Sequence, residues 1–342
     1  MEVGMRPEVL RGLLLGAKSL VLTGVVVAAG VLPARPAAAL SKVATLAMCN
    51  DLPVATGNPA DAKVHLDAGA AAFAARKDPA KAQAGIVALE SALAIDPTNL
   101  PARIQVSRLY YLLADGYWRL EGEAKEDAMV EGFEKGLGHA GIAVGLVNPA
   151  LKKKICGGAP IAEVSALMTK ETVEPLYWFA THMGKYGLAK DLMEVLANKE
   201  LIFGAMDKIH KLQPEFFYHA PDRYLASYYS KVPFPDGDPA RSYAHFSQSI
   251  KGSPKYLATY VLMAELYTAR FSSKIPADAA KCAPGAAKLA EPAKVHPCRS
   301  FFEKLLQTVL KADAAAIPEL EAEQLLEQKK AQRLLDQADD LF

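Results

Sequence analysis

Three segments of this chain share one layout, and that layout leaves little room for anything but a helical fold. They are ALESALAIDPTNLPARIQVSRLYY (88–111), AMDKIHKLQPEFFYHAPDRYLASYY (205–229) and YAHFSQSIKGSPKYLATYVLMAELY (243–267). Each runs from helix-forming sequence through a proline into a second helical stretch. A large apolar residue stands eight places before the proline (Leu89, Met206, Phe246), and a smaller or aliphatic one five places before it (Ala92, Ile209, Ser249). A step of three keeps both positions on one face of a helix. The proline fits because its fixed φ suits the first turn of the next helix, where its missing N–H would have had no partner. Elsewhere alternating β-branched runs are scarce, and Ala, Leu, Glu, Lys and Gln fill long windows. Leu325, Leu326, Ala331, Leu334, Leu335, Ala338 and Leu341 form an apolar stripe near the C-terminus, and the other face carries charges of both signs. That is a helix facing a protein core, not a membrane surface. The expected fold class is all-α, with helical hairpins in a compact bundle or solenoid.

The N-terminus reads as an export signal. Arg6, Arg11 and Lys18 precede an uncharged apolar run, SLVLTGVVVAAGVL (19–32), followed by Pro33, Pro36 and Ala37-Ala38-Ala39. This three-part layout predicts a cleaved leader over 1–39 and a single helical domain over 40–342. A membrane span needs about 20 apolar residues, more than this run offers. LAMC (46–49) is a poor lipidation site because Met48 precedes its cysteine. The chain has four cysteines, Cys49, Cys156, Cys282 and Cys298. An even number in an exported chain points to disulfides, and four cysteines allow three pairings. Pairing Cys282 with Cys298 closes a short Pro/Ala-rich loop within an insertion at 276–297, a crosslink of about 3 kcal/mol by loop entropy. Cys49 then pairs with Cys156.

Lysine and arginine number 39 against 38 acidic residues, for a net charge of +1, and the two signs are interleaved. That leaves no basic field for nucleic acid. Neither a nucleophile elbow, nor a phosphate-cradling loop, nor a dinucleotide fingerprint is present, so neither catalysis nor a cofactor is expected. GLGHAGIAVG (136–145) reads as small residues that let helices approach closely. The histidines, His65, His139, His182, His210, His219, His245 and His296, show no metal-ligand spacing, and a metal site is not expected.

The aromatic residues are the candidate ligand contacts. Seven of the chain's 27 (12 Phe, 13 Tyr, 2 Trp) fall between Phe216 and Phe234: Phe216, Phe217, Tyr218, Tyr224, Tyr228, Tyr229 and Phe234. Tyrosine gives a pocket wall an apolar body and a polar tip. Two further groups are YYLLADGYW (110–118), with Tyr110 and Trp118, and LYWF (176–179), with Tyr177 and Trp178. His182 and His219 lie beside these groups and could bind a ligand's polar end. On a helix Tyr224 and Tyr228 share a face and Tyr229 turns about 100° away, so some of these rings are structural. Core filling and a ligand wall both fit the pattern.

The proline-punctuated units resemble the second helix and inter-repeat turn of tetratricopeptide repeats, without the Trp-Leu-Gly-Tyr signature of the first helix. From about residue 65 onward the chain also resembles the T-component family of tripartite ATP-independent periplasmic (TRAP) transporters. PLYWFATHMGKYG (175–187), the blocks at 206–218 and 232–250, and the ending AQRLLDQADDLF (331–342) carry that resemblance. It implies a periplasmic bundle of divergent tetratricopeptide-like hairpins with a hydrophobic cavity. The implied partners are a periplasmic substrate-binding protein and a membrane transporter. It also implies a hydrophobic or amphipathic ligand, either an organic acid or, by analogy with a related group, a lipid such as a sterol. Self-association and a peripheral outer-membrane contact are compatible with this picture. A protein-interaction scaffold without a ligand of its own is the alternative.

Overall fold

Asparagine and aspartate caps, most of them followed by proline, set where many of the helices begin. The computed structural model describes residues 48–232, 237–268 and 297–342, all of them helical or connecting, with no strand among the described residues. The fold is all-α, as expected. The leader (1–39), Cys282, Phe234 and nearly all of the 276–297 insertion lie outside the described residues. Contacts cluster the chain into two compact units, Met1–Ala205 and Met206–Phe342.

In the first unit α1 (Lys63–Ala74) and α2 (Pro79–Ile95) are joined by a short turn, and the Asp78 side chain accepts from Ala80 N. Asn99 caps α3 (Leu100–Tyr111) by accepting from Ala102 N, with Pro101 in the first turn. After α3 the chain widens into a π-helical turn over Leu112–Trp118. Next come α4 (Glu126–Val147), α5 (Pro149–Cys156), α6 (Ile161–Ala166) and α7 (Val173–Lys190). Asn148 starts α5 by accepting from Leu151 N. Each cap satisfies an N–H that a helix start leaves without an intrahelical partner. Along the chain α1 packs on α2 and α2 on α3, and α4 packs on both α3 and α7. Helix α8 (Leu192–Leu212) runs across the division between the units.

The second unit holds the remainder of α8, α9 (Phe216–Lys231), α10 (Pro239–Gly252), α11 (Leu257–Leu262), α12 (Pro297–Lys311) and α13 (Glu321–Asp336). Asp238 caps α10 by accepting from both Ala240 N and Arg241 N. Helices α9 and α10 pair, and α11, α12 and α13 pack together. Their core centres on Phe246, Phe302, Leu306 and Val309, with Ala331 and Leu334 of the predicted C-terminal stripe facing it.

All six positions picked out by their distance from proline are buried: Leu89, Ala92, Met206, Ile209, Phe246 and Ser249. The glycines of α4 also act as expected. A methyl group on Gly136 would stand 2.0 Å from His182 Cε1, and one on Gly141 would meet Met48 and Phe179 at 3.2–3.3 Å. Only glycine lets α7 come this close to α4.

Cys49 and Cys156 are joined, with Cα atoms 5.6 Å apart and a sequence separation of 107. The bond ties the 48–50 segment to α5, and Lys152 Nζ donates to Asn50 O at 2.7 Å beside it. Met48 is fully buried under the same clasp. Cys298 is also buried and is not a free thiol. Closing a loop of this length removes much of the unfolded chain's freedom, so Cys156→Ser is expected to cost about 2–5 kcal/mol. Denaturant unfolding with and without reductant checks this. The variant should also lose most of the reductant sensitivity that the wild-type chain shows.

Candidate functional site

In the first unit the polar centre forms where the helix widens. The π-helical turn carries Asp115 inward, where it is almost fully buried. Its Oδ1 accepts from Lys185 Nζ at 2.5 Å and from Arg119 Nη1 at 3.3 Å, and Tyr111 Oη donates to Oδ2 at 3.3 Å. A buried carboxylate is costly unless paired and hydrogen-bonded, and two permanent cations meet that requirement here. Isolated π-helical turns of this kind are frequent at functional positions.

Above this pair lies a nest of rings. Tyr111 meets Trp178 at 5.6 Å and His182 edge-on at 5.8 Å, and Tyr177 meets Trp178 at 5.0 Å. Tyr177, Trp178 and His182 are all buried. His182 Nε2–H donates to Ser107 O at 3.0 Å, which fixes the tautomer and leaves Nδ1 without a hydrogen-bond partner among the described residues. Burial pushes the His182 imidazole down to about 4, so it is neutral at physiological pH. Tyr110 is core too: its hydroxyl donates to Glu90 Oε1 at 2.7 Å and its ring stacks on His139. Burial and the Glu90 carboxylate together raise the Tyr110 phenol. Trp118 packs with Phe133, Met129 and Tyr186.

The second unit contains the 215–229 stretch, and its backbone differs from the helix that the spacing predicts. Phe217, Tyr218 and His219 have φ of 42°, 59° and 56°, a left-handed run of three side-chain-bearing residues. L-residues resist this conformation by about 1–2 kcal/mol each, so other contacts must hold it. Arg223 Nη1 donates to Tyr218 O at 2.8 Å and Nη2 to Phe217 O at 3.3 Å, and the guanidinium lies over the Tyr256 ring. Tyr218 stacks on Tyr256 at 5.3 Å, and its hydroxyl donates to the Glu319 carboxylate. Regular helix resumes at Ala220, with Pro221 in its first turn. Phe216, Phe217, Tyr218, Tyr224 and Tyr228 are half-buried, whereas Tyr229 is in the core, stacked on His245 at 5.8 Å.

Helix resumption at Ala220 also brings together residues that the sequence spacing did not reveal. His210 of α8, Asp222 of α9 and His245 of α10 converge, with ligand-capable atoms all within 4.8 Å of one another. His245 Nδ1 lies 2.8 Å and His210 Nε2 3.1 Å from Asp222 Oδ1. His219 Nδ1 is 3.7 Å from Oδ2, and neither of those two atoms has a hydrogen-bond partner among the described residues. The residues stand 12 and 23 positions apart on three different helices, and no local motif marks them.

A family model described as TRAP transporter T-component matches residues 80–274. The chain belongs to that family. The match spans the first unit from α2 onward and the second as far as α11, so both ring groups lie within it. T-components are periplasmic accessory parts of TRAP transporters, which work with a substrate-binding protein. Among the described residues of this T-component no helix is long and apolar enough to cross a membrane. A search of curated proteins returned no match.

Two outcomes follow from the His182 environment. The unfolded chain binds a proton at this residue near pH 6.5 and the folded one only near 4. Folding stability is therefore complete above the unfolded value and falls as pH drops across that window, by up to about 3 kcal/mol from this group. Calorimetry between those pH values should show the loss, with a shallower slope in His182→Gln; an unchanged slope would contradict neutral burial. Gly136→Ala gains about 1 kcal/mol of helix propensity but drives a methyl into the imidazole. Overpacking costs about 1–3 kcal/mol, so a lower melting temperature is expected.

Proposed function

We propose that this T-component holds an amphipathic small molecule, an organic acid or a lipid such as a sterol, on the aromatic surface of the 216–228 stretch. It would pass that molecule between the periplasmic substrate-binding protein and the membrane transporter. The observation that supports this is the half-burial of Phe216, Phe217, Tyr218, Tyr224 and Tyr228. A ligand that covered this surface would gain about 25 cal/mol per Å² of apolar area removed from water. The tyrosine hydroxyls would orient its polar end. Export through a cleaved leader over 1–39 and a single functional domain over 40–342 belong to the same reading.

The sealed rings favour the scaffold reading for the other aromatic groups. Tyr110, Tyr177, Trp178, His182 and Tyr229 are buried, and such rings set the shape of the helices that a partner protein would meet. The two readings separate in one experiment. A fluorescent sterol and a fluorescent fatty acid are titrated into the full chain and into Tyr228→Phe, and binding of the substrate-binding protein is measured in parallel. A carrier loses about 3–10-fold in probe affinity, the worth of one hydrogen bond, and keeps its partner affinity. A scaffold binds neither probe saturably. Probe affinity that is unchanged in Tyr228→Phe removes this hydroxyl from the proposed site.

A further inference from the structure

We infer that His210, Asp222 and His245 form a binding site for one divalent transition ion of the zinc class, with His219 as the positioning residue beside it. The argument starts from charge. The first unit balances its buried carboxylate, Asp115, with Lys185 and Arg119. Asp222 is as deeply buried, at 1% exposure. Its ion-pair partners among the described residues are three imidazoles, which carry no permanent charge. Burying a carboxylate without a compensating cation is expensive, and a bound divalent ion would supply the missing charge.

The donor set fits such an ion. Imidazole nitrogen suits zinc, copper and nickel, and a carboxylate oxygen completes a mixed nitrogen–oxygen set. A tetrahedral ion with bonds of about 2.0 Å holds its ligand atoms roughly 3.3 Å apart. The two nitrogens stand 2.8 Å and 3.1 Å from Asp222 Oδ1, and all three ligand atoms lie within 4.8 Å of one another, so side-chain adjustments of the order of an ångström or less bring them to that spacing. Each imidazole would then present a lone pair, its proton moving to the other ring nitrogen. Three protein ligands leave a coordination position for water or an anionic group.

The surroundings hold the ligands in place, as the outer groups of metal sites do. The His245 ring is stacked against Tyr229, and the Arg241 guanidinium lies over the Tyr229 ring, 5.5 Å from its centroid. His219 faces the unpartnered oxygen of Asp222, and its ring lies so close to Gly252 that a methyl there would stand 2.1 Å from Nε2. Ser249 Oγ donates to His219 O at 3.2 Å. The left-handed run at 217–219 is what turns His219 into this position. Backbone held in such a region against its preference tends to sit at binding sites.

The test uses the full chain purified without a polyhistidine tag and stripped with a chelator. Zn2+ is titrated by calorimetry, and Co2+ is added as a spectroscopic probe. One ion per chain is expected, with visible Co2+ bands of a low-coordinate nitrogen–oxygen site and a higher melting temperature. Asp222→Asn and His245→Ala should each weaken Zn2+ binding by more than about 100-fold, beyond the 10–100-fold that outer groups cost. His210→Gln alters the most exposed side chain of the three and keeps the test decisive if the other two variants fail to fold: it should abolish the Co2+ bands. His65→Ala, outside the cluster, should leave binding unchanged. Absence of saturable Zn2+ binding in the wild-type chain would overturn the inference. So would binding that all three cluster variants retain.

Discussion

A chain made only of helices satisfies its backbone within each helix, so the hard problem is where to put buried charge. Among the described residues each unit of this T-component buries one aspartate, and each sits beside a departure from regular helix. Asp115 lies within the π-helical turn after α3, and Asp222 follows the left-handed run before Pro221. Tyr111 and Arg119 stand four residues either side of Asp115, as helix neighbours do, whereas Lys185 reaches it from α7, and His210 and His245 reach Asp222 from α8 and α10. The packing of the surrounding rings follows from these two placements: Tyr111 reaches both Asp115 and His182, and Tyr229 backs the imidazole that meets Asp222.

The two carboxylates are handled differently, and the difference suggests different roles. Asp115, with lysine, arginine and tyrosine, forms a network of the kind that fixes one arrangement of helices. Asp222, ringed by imidazoles, has no permanent cation among its ion-pair partners in the described residues. Both lie inside the span that matches the T-component family. The half-buried aromatic surface belongs to the same stretch of chain as Asp222, so a ligand held there and an ion held by the histidines would share one supporting element, α9.

Much of the fold was legible in the sequence because helix propensity, apolar period and proline position are local signals that agree. The positions eight and five places before proline are all core. The Cys49–Cys156 bond was reached by elimination, since the short 282–298 loop claimed the other two cysteines. The site was legible only in part. Spacing alone made 217–219 helical, because nothing local shows that Arg223 and Tyr256 hold those residues left-handed. The histidine cluster was invisible for a related reason: its members come from α8, α9 and α10, and their meeting depends on that same turn. Aromatic density located a region of interest, but Tyr228 and Tyr229, adjacent in sequence, differ in burial, and only packing could separate them.

The most direct test of the account is mass spectrometry of an organic extract from the protein, isolated without detergent from the periplasm of the cells that make it. A carrier is expected to yield one lipid or organic acid in near-stoichiometric amount, absent from an extract of the Phe217→Ala, Tyr228→Ala double variant. An empty extract from the wild-type chain, with the substrate-binding protein still bound normally, would contradict the carrier reading and leave the aromatic stretch as part of a docking scaffold.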